Sequence, residues 1–268
     1  MLEPTLSGPA LIHDIDQTLT VTPTLWWLGH SGFVIRFANI TFYVDPCLTT
    51  PPDKMRRSEP PLDPALVHHA DMVLVTHAHP GHLDTSTLAR IIAASPRAKV
   101  VLPRSAQDYA NREGIPSDRT VPTDAGLRIE YFKENLYGRI YAVPSAHPRL
   151  DWTSAGGYPY LGYLIRFGKW TIYHAGDCAM YPDLATRLKP FNVNVALLPI
   201  GGGNMSASEA AQLASDIGAA WVAPMHYGAF NGDEDDSQSS FVDHMLGHRP
   251  DQRFHVFRCG EKWTVPEE

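Results

Sequence analysis

Three imidazoles fall within six residues, at His77, His79 and His82, in the phrase Thr76-His77-Ala78-His79-Pro80-Gly81-His82-Leu83-Asp84. Imidazole binds metal ions through a ring-nitrogen lone pair near neutral pH, so three in this spacing are suited to a divalent cation. Gly81 directly precedes His82, at a place where a carboxylate would make the cluster denser. Three further metal-competent side chains stand alone in the chain. They are His147 in Pro144-Ser145-Ala146-His147, Asp177 in His174-Ala175-Gly176-Asp177, and His226 after Trp221-Val222-Ala223-Pro224-Met225. An isolated histidine is more often structural, but six candidates sharing one local context argue for a common site.

That context is the end of a strand. Apolar, β-rich runs occur at Leu25–Leu28, Phe33–Phe37, Ile40–Val44, Met72–Thr76, Lys99–Leu102, Leu127–Phe132 and Arg139–Val143. They recur at Tyr160–Phe167, Trp170–His174, Val193–Pro199, Trp221–Pro224, Phe254–Phe257 and Lys262–Val265. Ala38-Asn39 and Gly168-Lys169 join two of the pairs as hairpins. Helices are expected over Thr85–Ala94, Ser105–Arg112, Ser206–Ile217 and Gln238–Leu246. The third is marked by a Ser206/Glu209 capping box and a stop at Gly218. Hairpins in both halves with interspersed helices predict an α/β (α+β) chain with mixed sheets covered by helices. Thr49–Pro64 and the acidic Gly228–Ser239 read as solvated loops.

Composition narrows the function. With 268 residues and 44% apolar content the chain can bury one large core, expected as a single domain over 1–268. A net charge of −7 argues against nucleic acid held by bulk electrostatics. Cys47, Cys178 and Cys259 are odd in number and far apart, so no disulfide framework is expected. No apolar run reaches membrane-spanning length and no signal peptide is legible, which predicts a soluble cytoplasmic protein.

The ordered set His77, His79, His82, His147, Asp177 and His226 resembles the metallo-β-lactamase superfamily, whose central motif is His-x-His-x-Asp-His. The resemblance runs from Trp27-Leu28-Gly29-His30-Ser31-Gly32-Phe33 to Met225-His226-Tyr227-Gly228. It is nearest in phrasing to the branch of the L-ascorbate-6-phosphate lactonase and the N-acyl-phosphatidylethanolamine phospholipase D. It implies a four-layer αβ/βα sandwich of two mixed sheets flanked by helices. By the same resemblance, His77, His79 and His147 hold a first metal, Asp177 bridges, and His82 and His226 serve a second. Gly81 replaces the motif aspartate, and three consequences stand open: a weaker second ion, a one-metal centre, or an impaired, non-catalytic metal-binding protein.

The chemistry that follows is attack by a metal-bound hydroxide on a lactone, ester, amide or phosphodiester. Asp177 orients the nucleophile and Asp84 is a candidate proton relay, with helix capping as its other role. The expected substrate is small and soluble, and Arg149, Tyr160 and Tyr227 are candidates to contact an anionic group on it. A phosphodiesterase or nuclease is the alternative on the same fold. Histidine and carboxylate accept zinc, manganese or iron, in one or two copies. Asp45 is either an acceptor that fixes a ligand histidine or a turn-forming Asp-Pro. His30 is expected to position rather than to coordinate. His174 and Cys178 are expected to be structural, and His68-His69, His244, His248 and His255 to be surface or packing residues.

Overall fold

The parallel strands of this chain are short apolar stretches that end in polar residues, and the folding of those stretches fixes where the polar residues go. The computed structural model describes residues 3–51, 55–231 and 236–267. The 1–268 domain expected from sequence contains two compact units. One comprises Met1–Thr123, Ala229–Asn231 and Arg258–Glu268, and the other Asp124–Gly228 and Gly232–Phe257.

The first unit holds α1 (Gly8–Gln17), β1 (Thr24–Gly29), β2 (Gly32–Phe37), β3 (Ile40–Val44), β4 (Met72–Leu74), α2 (Thr85–Ala94), β5 (Lys99–Pro103), α3 (Gln107–Arg112), β6 (Thr120–Thr123) and β14 (Lys262–Thr264). Its sheet has the order β14-β1-β2-β3-β4-β5-β6. The β14-to-β3 half is antiparallel and the β3-to-β6 half parallel. The hairpin expected at Ala38-Asn39 closes Phe37 on Ile40. Residues β3 and β4 are buried throughout, as parallel strands covered on both faces require. Leu11 and Ile15 of α1, Tyr43, Val73, and Leu88 and Ile91 of α2 meet in one core.

The second unit repeats this plan. It holds β7 (Arg128–Lys133), β8 (Leu136–Pro144), β9 (Leu161–Phe167), β10 (Trp170–His174), α4 (Leu184–Leu188), β11 (Val195–Pro199), α5 (Ala207–Ile217), β12 (Trp221–Met225), α6 (Asp236–His248) and β13 (Arg253–Phe254). The sheet order is β13-β12-β11-β10-β9-β8-β7, parallel from β13 to β10 and antiparallel beyond. The second expected hairpin pairs Phe167 with Trp170. The capping box opens α5, with Ser206 Oγ accepting from the Glu209 N–H and the Glu209 carboxylate accepting from the Ser206 N–H. Pro224 sits inside β12 without cost to the ladder, because β13 pairs only with Trp221 and Val222.

The fold class expected from sequence, two mixed sheets with flanking helices, is therefore present. Among the described residues, two α-helices and one strand escaped the sequence. Helix α1 begins at Gly8-Pro9, with proline in the first turn where its missing N–H is harmless. Strand β6 contains Pro122, which the sheet tolerates because β6 is an edge. Helix α4 is only five residues long. The acidic segment expected as a loop over Gly228–Ser239 is already α6 from Asp236, and its residues 232–235 lie outside those described, as do 52–54 of the Thr49–Pro64 loop. No disulfide joins Cys47, Cys178 and Cys259. Among the described residues, no helix is long and apolar enough to cross a membrane.

Candidate metal centre

Parallel pairing of β3 with β4 puts the residues after both strands side by side, with the Asp45 N–H donating to the Leu74 carbonyl. Asp45 is fully buried, and its Oδ1 accepts from the Thr76 N–H at 2.8 Å. Its Oδ2 takes two more donors, the Thr76 hydroxyl at 2.6 Å and His82 Nδ1 at 2.7 Å. Proton positions follow from these contacts. A carboxylate only accepts, so His82 carries its proton on Nδ1 and has its lone pair on Nε2. The Thr76 hydroxyl has given its hydrogen to Asp45, so at its 3.0 Å contact with His77 Nδ1 it accepts. His77 therefore also presents Nε2 as a lone pair. One carboxylate and one hydroxyl set two imidazoles in the ligating tautomer, and Asp45 is an orienting acceptor as well as an Asp-Pro turn.

The donor set fits a metal ion. His77 Nε2 and His79 Nδ1 converge to 3.0 Å. Metal–nitrogen bonds of about 2.0–2.1 Å at 90–110° separate two ligand nitrogens by about 3.0–3.4 Å. His82 packs on His77 with ring centroids 3.9 Å apart. Gly81 adds no side chain, and its flank is filled. A Cβ there would stand 3.1 Å from Cε1 of His30, 3.6 Å from its Nδ1 and 3.7 Å from its Nε2. The His30 imidazole thus occupies the space into which an aspartate at 81 would project. It lies edge-on to His82 at 5.2 Å and to Phe230 at 5.3 Å, and one ring nitrogen of each histidine lies within 4.8 Å of the other. His30 and Asp45 both adopt left-handed backbone, at φ 53° and 42°, a strain that persists only where the surroundings impose it.

In the second unit, His147 follows β8, Asp177 follows β10 and His226 follows β12, as the strand-end pattern predicted. Asp177 is buried, with Oδ1 3.3 Å from His226 Nε2 and Oδ2 3.8 Å from His147 Nε2. Both histidines thus turn Nε2 toward the carboxylate. His226 is in left-handed backbone at φ 67°, and a Cβ on Gly202 would come within 3.2 Å of its Cε1. The loop after β11 needs a glycine there to sit against the ring.

The remaining candidates divide. Tyr160 lies beside His147, centroids 5.3 Å apart, and burial first, then Asp151 and Asp177, raises its phenol above the usual range. Arg149 is exposed, with Nε 3.4 Å from Asp151. Tyr227, expected to contact substrate, is buried and donates its hydroxyl to the Phe257 carbonyl at 2.9 Å, an internal tie. Asp84, weighed as a proton relay or a helix cap, caps α2. Its Oδ1 accepts from the Thr87 N–H, and its Oδ2 from the Thr87 hydroxyl, the Thr49 hydroxyl and the Thr49 N–H. Three donors on Oδ2 and one on Oδ1 tie this buried carboxylate to α2 and to Thr49. His174 is buried and accepts from the Gly176 N–H, and burial pushes the Cys178 thiol up to about 11. The sequence missed Thr76. Its signal was present: a hydroxyl residue between a parallel strand and the first histidine, level with an Asp-Pro on the neighbouring strand.

Comparison with known proteins gives this arrangement its kin. A model of the beta-lactamase superfamily domain matches residues 24–226. A UPF0173 metal-dependent hydrolase of Caldivirga maquilingensis is 30% identical over 244 residues, 90% of this chain and 98% of that one. Another from Myxococcus xanthus is 33% identical over 214 residues, 78% of this chain and 71% of that one. In fold, the chain is similar to Igni18, a metallo hydrolase from Ignicoccus hospitalis, with a TM-score of 0.67 at 21% identity, covering 92% of this chain and all of the other. With its histidine motif and two mixed sheets, the chain belongs to the beta-lactamase superfamily and, within it, to the UPF0173 metal-dependent hydrolase family.

Proposed function

We propose that this protein is a metal-dependent hydrolase that binds one or two divalent ions through His77, His79, His82, His147, Asp177 and His226, with His30 in the place the missing carboxylate leaves at Gly81. The observation that carries this is the Asp45–Thr76 network, which turns Nε2 of both His77 and His82 into lone-pair donors. A histidine pair needed only for packing has no use for two fixed tautomers. The family match runs through both units, so we treat them as one functional domain.

A divalent ion supplies Lewis acidity and brings the pKa of a water it binds toward ~7. The chain supplies the rest. Asp177 orients the attacking water through a carboxylate oxygen and takes up its proton. Tyr160, held protonated, donates its hydroxyl to an anionic or carbonyl oxygen of the substrate. Arg149 is an exposed cation that a phosphate or carboxylate can recruit from Asp151. Replacing an aspartate by His30 keeps a donor but loses a negative charge, so the second ion binds less tightly than a carboxylate would hold it.

The substrate class we favour is a small soluble lactone, ester or phosphate-bearing molecule. The net charge of −7 disfavours a polyanion such as nucleic acid. Three cysteines without a disulfide between them suit a reducing compartment, and we place the protein in the cytoplasm. The test is to strip the protein with a chelator, reload it with zinc, manganese or iron, and assay generic lactone, ester and bis-phosphodiester substrates. Lactone or ester turnover restored by metal supports the proposal. Turnover of the bis-phosphodiester alone replaces it with a phosphodiesterase, and no metal-dependent turnover at all leaves a binding protein.

A further inference from the structure

A second set of metal-competent side chains lies within the first unit, at the far end of α1. Asp16 is in the last turn of that helix, and His68 and His69 are in the segment that enters β4. Asp16 Oδ2 is 3.2 Å from His68 Nε2, and Asp16 Oδ1 is 3.0 Å from His69 Nδ1. One ligand atom from each of the three residues lies within 4.8 Å of the other two. Both oxygen–nitrogen distances match the ~3.0–3.4 Å edge expected between two ligands of one ion.

The proton positions argue for a cation among them. His68 Nδ1 is 3.1 Å from the Leu66 carbonyl, which can only accept, so Nδ1 carries the hydrogen. Its Nε2 faces the Asp16 carboxylate, and in the neutral ring that nitrogen is a lone pair that a cation between the two would take. His69 is 8% exposed, and its Nδ1 faces Asp16 Oδ1 at 3.0 Å. Its Nε2 is 2.9 Å from the Tyr43 hydroxyl, which leaves Nδ1 as a lone pair once Nε2 donates there. An outer hydrogen bond from each ring to a carbonyl or hydroxyl is the support that ligating histidines commonly have. Helix α1 also carries no basic residue in its last turn, where its dipole favours positive charge. Arg36 is close, but donates to the main-chain carbonyls of Asp16 and Thr18 and to Thr41 Oγ1.

We propose that Asp16, His68 and His69 bind a divalent transition-metal ion of the zinc class, separately from the catalytic ligands, and that this ion fastens the end of α1 to the entry of β4. Two nitrogens and a carboxylate are a donor set for such an ion. His68 is 58% exposed and Asp16 30%, so water can fill the remaining coordination positions.

The experiment compares wild type with His68→Ala and Asp16→Asn, all full length, stripped with a chelator and titrated with zinc. His68 is exposed, so its truncation leaves the core alone. The expected result is one zinc fewer per chain in each variant, a smaller zinc-induced rise in Tm, and unchanged metal-dependent turnover. With cobalt as the probe, the variants should lose part of the visible absorption at saturation. Equal stoichiometry and an equal zinc-induced rise in Tm across the three proteins would overturn the proposal and reduce the cluster to protonated histidines on a carboxylate.

Discussion

Restoring the aspartate that the superfamily motif carries is the perturbation that separates sequence logic from structural logic. On charge alone, Gly81→Asp should tighten the second ion. The structure predicts that the single substitution fails. Ordinary contact for a Cβ is 3.4–4 Å, yet at residue 81 it would sit 3.1 Å from His30 Cε1. The His30 ring would have to give by a few tenths of an ångström. Overpacking of this kind costs about 1–3 kcal/mol. At about 2–4 °C per kcal/mol for a domain of this size, Tm should fall by several degrees. His30→Gly removes the ring and suits the left-handed backbone at that position, so the double variant should accept the aspartate and bind a second zinc more tightly than His30→Gly alone. The coupling between the two substitutions should fall in the range of about 0.5–3 kcal/mol. Zinc affinity by competition with a chromophoric chelator, and Tm in chelator, measure both quantities. Additivity of the two substitutions to within ~0.5 kcal/mol would refute the claim that His30 fills the aspartate's place.

Other substitutions test the supports. Asp45→Asn keeps the shape but offers N–H donors to Thr76 and His82, which must flip their partners out of the ligating tautomer. Metal affinity should drop about 10–100-fold by competition titration. Asp84→Asn should weaken the cap of α2 by about 1–3 kcal/mol in urea unfolding while metal-dependent turnover stays within about twofold of wild type. Stability in chelator should fall with acid through His69. Its folded-state pKa, about 4, lies below the ordinary imidazole value of 6.5, so the unfolded chain binds the proton first. The loss begins as pH drops below 6.5 and is complete near 4, at most about 3 kcal/mol. His69→Gln should flatten the difference in urea midpoint between pH 7 and pH 5, and an unchanged difference would show that His69 is not the group responsible.

The fold was legible because its elements obey local rules. Ile40–Val44, Trp170–His174 and Thr85–Ala94 match the strands and helix formed, residue for residue. What escaped was decided by position in the sheet rather than by local pattern. Pro122 disqualifies a strand unless that strand is an edge, and edge status belongs to the topology. At the site, motif spacing located the histidines but could not say what lay beside Gly81. His30 precedes it by fifty-one positions and reaches it only through the turn between β1 and β2. Asp84 reads in sequence like a spare carboxylate, and the hydrogen bonds of Thr49 and Thr87 are what assign it to α2. Likewise, Asp16 and His68-His69 are separated in sequence and meet only after α1 packs on its sheet.

Metal content of His79→Ala, measured in a His68→Ala background so that the α1 cluster does not contribute, tests the central claim most directly. His79 is exposed and touches His77 through the 3.0 Å convergence of their nitrogens, so its loss should spare the fold. The account predicts that zinc per chain falls after chelation and reloading, and that metal-dependent hydrolysis disappears with it. The same zinc content and affinity with and without His79 would contradict it.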